Sequence, residues 1–125
     1  TPVNWPFMTG ESAQMPSLKA IEIKAFLPAK DYALCRRFYA DLGFTEASEN
    51  EGVAYFHHGD VSFLLQNFHP DGFASNLMMH LLVEDVDAWW EHVRATGIAQ
   101  TYGVKVGAVE LQPWGMRDFV LFDPS

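Results

Sequence analysis

The feature that most constrains this chain is an internal duplication. The run Ala29-Lys30-Asp31, then Phe38-Tyr39, then Leu42-Gly43-Phe44 returns as Val83-Glu84-Asp85, His92-Val93 and Thr96-Gly97-Ile98, always 54 residues later. In both copies the Asp stands twelve residues before the Gly. An Asp whose side chain can accept from the first free helical N–H groups, followed by a Gly that tolerates a left-handed turn, marks the start and stop of a helix of about three turns. In the second helix Val86, Trp89, Trp90 and Val93 form a one-sided apolar stripe. In the first, Tyr32, Cys35, Tyr39 and Leu42 mark the equivalent face, with Phe38 beside it.

The segments before the helices match as well. In residues 18–27, Ile21, Ile23, Ala25 and Leu27 alternate with Ala20, Glu22, Lys24 and Phe26. In residues 76–83, Leu77, Met79, Leu81 and Val83 alternate with Asn76, Met78, His80 and Leu82. Strict alternation predicts strands whose apolar faces pack under the helices while the mixed faces point elsewhere. After the first helix, residues 44–48, 53–57 and 61–68 are expected strands, the last two joined by a tight turn at His58-Gly59-Asp60. After the second, strands are expected over 98–101, 104–111 and 116–123. Each copy is therefore β-α-β-β-β, the second ending one strand short at Ser125. The expected layout is an arm over residues 1–17 and one α+β domain over 18–125, with repeats at 18–71 and 72–125 and an Asp71-Gly72 turn between them.

Composition narrows the function. The chain of 125 residues has 49% apolar residues and 14% aromatics, enough for a packed core. Sixteen acids against eight Lys plus Arg give a net charge of -8, which argues against nucleic acid and anionic membrane surfaces as partners. No apolar run approaches the roughly 18 residues that span a bilayer. The lone Cys35 excludes an internal disulfide framework and a Cys-rich zinc site, so a cytoplasmic protein is expected. There is no Ser/His/Asp pattern and no phosphate-binding Gly-rich loop. Asp31 and Asp85 are accounted for as helix caps, and Asp41, Asp87 and Asp118 read as solvated charges.

Taken in order, Phe26-Leu27-Pro28-Ala29-Lys30-Asp31, Phe38-Tyr39-Ala40-Asp41-Leu42-Gly43-Phe44, Val83-Glu84-Asp85-Val86-Asp87 and Pro113-Trp114-Gly115-Met116-Arg117-Asp118-Phe119 resemble the vicinal oxygen chelate superfamily. That group contains glyoxalases, extradiol dioxygenases, and fosfomycin and bleomycin resistance proteins. The Leu-Pro-Ala-Lys-Asp and Pro-Trp-Gly-Met-Arg segments are most similar to the bleomycin-resistance-like branch. The resemblance implies two βαβββ repeats whose sheets form a curved half-barrel around a cavity, completed in a homodimer.

It also implies where a divalent metal would sit, since one ligand in metal-binding members lies seven residues before each helix-opening Asp. Those positions are Lys24 and Met78. An ammonium has no free lone pair, and a thioether is a poor ligand for a hard or borderline ion. A third position falls near Gln66. No metal or other cofactor is therefore expected, although a displaced site could use His80 with Gln66 or Glu22. His57 and His58, adjacent on one strand, face opposite ways, and His92 is expected on the solvated side of its helix. Lys24 has two readings: a contact for a ligand carboxylate, or a salt bridge with Glu22 on the same face.

The expected ligand-binding residues are Lys24, Phe26, Leu64, Gln66, Met78, His80, Leu82 and Trp114, with no catalytic residue. The leading expectation is metal-independent sequestration of a small molecule, cationic or aromatic, with Trp114 stacking on it. Alternatives are a metal-dependent lyase, isomerase or dioxygenase acting on vicinal oxygens, a metal-free enzyme with Lys24 or His80 as acid or base, and an accessory interaction domain.

Overall fold

The computed structural model describes residues 18–70 and 77–125. Its first half builds a four-stranded mixed sheet, curved and unclosed, from β1 (Phe26–Pro28), β2 (Thr45–Asn50), β3 (Val53–His58) and β4 (Val61–Gln66) in the order β1-β4-β3-β2. β1 runs parallel to β4, and the other pairs are antiparallel. Helix α1 (Tyr32–Leu42) makes the crossover between β1 and β2. The second half carries α2 (Val86–Ala95), the short α3 (Ile98–Tyr102) and a hairpin of β5 (Glu110–Leu111) and β6 (Arg117–Asp118). The expected arm at 1–17 and turn at Asp71-Gly72 lie outside the described residues.

Both helices start where local chemistry dictates. The Asp31 carboxylate accepts from the Leu34 N–H at 3.1 Å and the Asp85 carboxylate from the Ala88 N–H at 3.0 Å. Gly43 ends α1 at φ 122°, where its N–H bonds the Ala40 carbonyl. A β-carbon there would stand 3.3 Å from Nε2 of His92, whose ring is held by the Leu42 carbonyl. Gly43→Ala is expected to cost about 1–2 kcal/mol through the strained φ and this crowding. Urea unfolding with an unchanged slope is the check.

The core is one cluster. Cys35, Phe38, Tyr39 and Leu42 of α1 pack on Leu27, Ala54, Phe56, Phe63 and Leu65 of the sheet, with Val93 of α2 and Ile98 of α3 joining. Aromatic rings dominate it: Phe56 stacks on Phe63 at 5.5 Å, and Phe38 meets Tyr39 and Tyr102 edge-on. Because side chains alternate along a strand, burying Ala54, Phe56, Phe63 and Leu65 sends Tyr55, His57, Ser62, Leu64 and Gln66 to the other face.

Four expectations change. The strand over 18–27 shrinks to β1, and Ile21 and Ile23 are 93% and 73% exposed rather than packed under a helix. The parallel register, Phe26 opposite Leu64, explains this: β4 begins at Val61, so little strand remains beside the residues before Lys24. Residues 77–83 form no strand, because no described strand runs beside them. Leu77, Met79 and Leu81 are therefore exposed. The strand expected at 98–101 is α3: Gly97, at φ 68°, turns the chain, and Ile98 and Tyr102, four apart, both reach the core. Finally, residues 104–111 and 116–123 pair regularly only at β5 and β6, with an isolated bridge from Val106 to Leu121. Between the bridge and Glu110–Asp118, four steps on one strand face three on the other, which breaks the ladder.

Candidate functional site

The open face of the sheet is the natural place for a ligand, since α1 covers the other. Leu64 of β4 stands between Phe26 of β1 and Tyr55 of β3, while Ser62 pairs with His57 and Gln66 with Val53. Lys24, Phe26, Leu64 and Gln66 thus share one side. Phe26 is exposed, and the other three are half-buried.

Beside them lies a cavity of about 610 Å³, lined by Ile21, Glu22, Tyr55, His57, Asp60 and Ser62 among others. Its wall is ordered by Glu22. One carboxylate oxygen accepts from the Lys24 ammonium at 2.5 Å and the other from the Ser62 hydroxyl at 2.8 Å. These two donors, Lys24 foremost, hold the Glu22 carboxyl below its usual range. The Lys24 ammonium also lies 5.1 Å from the centre of the Tyr55 ring. Tyr55 and Ser62 did not stand out in the sequence, and Glu22 and His57 were considered there but not expected to bind the ligand. Their only signal was alternation, with Tyr55 and His57 interleaving the apolar Ala54 and Phe56; which strand lies beside which is not written locally.

The other expected residues stand elsewhere. Met78 and Leu82 are 75% and 79% exposed on the 77–83 segment, as His80 is also exposed there. Leu82 lines a separate hollow of about 340 Å³ with His58, Val61, Leu81 and Trp89, so it does not join Phe26 and Leu64. His58 and Val61 belong to the helix-side alternation of the sheet, which is the physical reason. Trp114, 66% exposed, sits in the turn between β5 and β6.

A metal at the positions that the resemblance implies does not fit these residues. Lys24 is bound to Glu22, Met78 offers only a thioether, and among the described residues no three His, Cys, Asp or Glu side chains are grouped to hold an ion. His92 is exposed, as expected, yet its ring is anchored: its Nε2–H donates to the Leu42 carbonyl at 2.7 Å. His58 Nδ1–H similarly reaches the Gly43 carbonyl at 3.2 Å, and Trp89 packs edge-on against both rings. Both histidines thus tie neighbouring elements to the carbonyl end of α1, a structural role. Asp87, expected as a solvated charge, is exposed and takes a two-pronged bond from Arg117 at 2.9 Å. Asp41 accepts from Tyr102 and Asp118 from Gln112. The Cys35 thiol is buried, and desolvation raises its pKa, so it is a poor nucleophile.

Among solved structures, the chain is similar to a bleomycin-binding protein complexed with bleomycin, at 28% identity and a TM-score of 0.71, covering 82% of this chain and 89% of that one. A bleomycin resistance determinant encoded on the transposon Tn5 matches at 24% identity and TM-score 0.65, again over 82% and 89%. A lactoylglutathione lyase from Agrobacterium tumefaciens shares the fold at 18% identity and TM-score 0.52, over 82% and 86%. No curated protein matches the chain. The family model of the glyoxalase/bleomycin resistance protein/dioxygenase superfamily matches residues 21–125. With this fold, and with a match spanning nearly all of the described domain, the chain belongs to that superfamily.

Proposed function

We propose that this protein binds a small planar, cationic molecule on the open face of its sheet and sequesters it without changing it chemically, acting as a homodimer. The observation that carries this reading is the likeness, at 28% identity over 82% of the chain, to a protein solved with bleomycin bound. The chemistry of the face supports it. Phe26, Leu64 and Tyr55 offer apolar and aromatic surface, and Glu22, Ser62 and Gln66 offer polar groups that orient a guest. Glu22 and Asp60 in the cavity wall, and the chain's net charge of -8, favour a positive guest. Sequestration asks for no nucleophile and no Lewis acid. Met78, His80, Leu82 and Trp114, all exposed, are the residues a second subunit would bring over the face. The exposed Ile21, Ile23, Met78 and Leu82 supply apolar surface for that subunit.

Titration calorimetry of the full chain with metal-free bleomycin tests the proposal. Binding with a Kd of about 1 μM or tighter is expected, with bleomycin recovered intact and one ligand site per chain of a two-chain particle. Absence of binding up to about 1 mM removes the sequestration reading for this ligand class. Recovery of a modified compound would replace it with an enzyme.

A further inference from the structure

Two residues of the cavity wall, Glu22 and Tyr55, already meet a positive group, and that group is the protein's own. The Lys24 ammonium bonds the Glu22 carboxylate at 2.5 Å while lying over the Tyr55 ring, 5.1 Å from its centre. A carboxylate on one side and an aromatic face on another are the two surfaces that recognise an organic ammonium or amidinium. The carboxylate does not depend on Lys24 for its position, because Ser62 holds its second oxygen at 2.8 Å. Asp60 and His57 line the same cavity of about 610 Å³. Both ion-pair partners keep about a third of their side chain in solvent, 28% for Lys24 and 32% for Glu22, so the ammonium can leave without unfolding anything. A pair this exposed contributes little to stability. Lys24 also lies one residue outside the paired segment, just before the Ala25 carbonyl that accepts from Leu64 N–H at 2.9 Å. Its long stem can therefore swing aside from a fixed backbone.

We propose that Glu22 and Tyr55 form a subsite for a protonated amine or amidine of the ligand, and that Lys24 is its internal occupant, displaced when the ligand enters. This rests on the reading of the sheet face as a ligand site, and it assigns the charge preference of one end of it. Lys24 is then a competitor and not a contact. In its presence a guest must outbid a tethered ammonium. In its absence the wall presents Glu22 and Asp60 with no ammonium bound to Glu22. The opposite role, in which the ammonium greets a ligand carboxylate, demands the reverse of every effect below.

The test uses benzamidine, with benzamide and benzoate as neutral and anionic shapes, titrated calorimetrically into the full chain. Lys24→Met keeps the length of the stem over Tyr55 and removes the charge. It is expected to tighten benzamidine binding about tenfold over the unsubstituted protein, while benzamide shows no such gain. Glu22→Gln, which keeps the Ser62 bond, is expected to weaken benzamidine at least tenfold in the Lys24→Met background. Thermal melting within a few degrees of the parent shows that both variants are folded. Weaker or unchanged benzamidine binding in Lys24→Met overturns the proposal. So does benzoate binding that Lys24→Met abolishes, or no benzamidine binding by either protein. Bleomycin binding that persists with no response to Lys24→Met would leave the sequestration reading standing and remove only this one.

Discussion

Phe56→Ala is expected to cost about 3–5 kcal/mol, a large part of the roughly 5–15 kcal/mol that holds a domain of this size together. Phe56 is fully buried, at 0% exposure, in the middle of the sheet. It stacks on Phe63 with an interplanar angle of 12°, and Tyr39 of α1 lies 6.0 Å away. Removing the ring deletes apolar surface and leaves a hole bordered by strands β3 and β4. Their ladder pairs every residue from Val53 opposite Gln66 to His58 opposite Val61, so the backbone has little freedom to collapse inward. Urea unfolding should show a midpoint lower by at least about 1 M with a similar slope. Leu111→Ala, at an exposed position on β5, should stay within about 0.5 kcal/mol of the parent. Equal losses for the two variants would mean that Phe56 is not the centre of the core.

The second large effect is alkaline loss of stability through Tyr39. Its ring is buried in the core, and its hydroxyl donates to Asp123 at 2.6 Å. Burial first, and the neighbouring carboxylate second, push its pKa far above the ordinary 10. In the unfolded chain the phenol titrates near its ordinary value. Between that value and the folded pKa the unfolded chain binds fewer protons than the folded one, so stability falls as pH rises. The contribution of Tyr39 is flat below about pH 10 and declines above it by about 1.4 kcal/mol per pH unit. Tyr32 and Tyr102, pushed up to about 12 mainly by desolvation, act in the same direction. Tyr39→Phe should be less stable at pH 7, because the hydroxyl bond to Asp123 is gone, and should show a shallower fall between pH 10 and 11.5. Identical slopes for parent and variant, from urea unfolding at each pH, would show that Tyr39 ionises freely in the folded protein.

Much of the fold was legible because helix starts and strand faces are local. An Asp followed by an amphipathic run reaches its own N–H three residues on, whatever surrounds it, so Asp31 and Asp85 were readable as caps. Alternation likewise assigns Ala54 and Phe56 to one face and Tyr55 and His57 to the other before any neighbour is known. The same period of two put Lys24 with Phe26, and Leu64 with Gln66, while the pairing of β1 with β4 brought the two sets together.

What lay beyond the sequence depends on which backbone lies beside which. Ile21 and Ile23 alternate as well as Leu27 does, yet only Leu27 is buried, because β4 begins at Val61. Residues 77–83 carry the same pattern and form no strand, for want of a described strand alongside. The cavity wall is decided in the same way: Glu22 meets Ser62 across 40 residues of sequence through the parallel register of β1 and β4. Local sequence sufficed for α1 and α2, their Asp N-caps and the two faces of the sheet, since a side chain's direction follows from its own backbone, but not for α3, which replaces an expected strand. Where each strand ends, and that Ser62 reaches Glu22 at the cavity, follows from the fold, since a ladder bond and this hydroxyl bond each need a partner supplied from elsewhere in the chain.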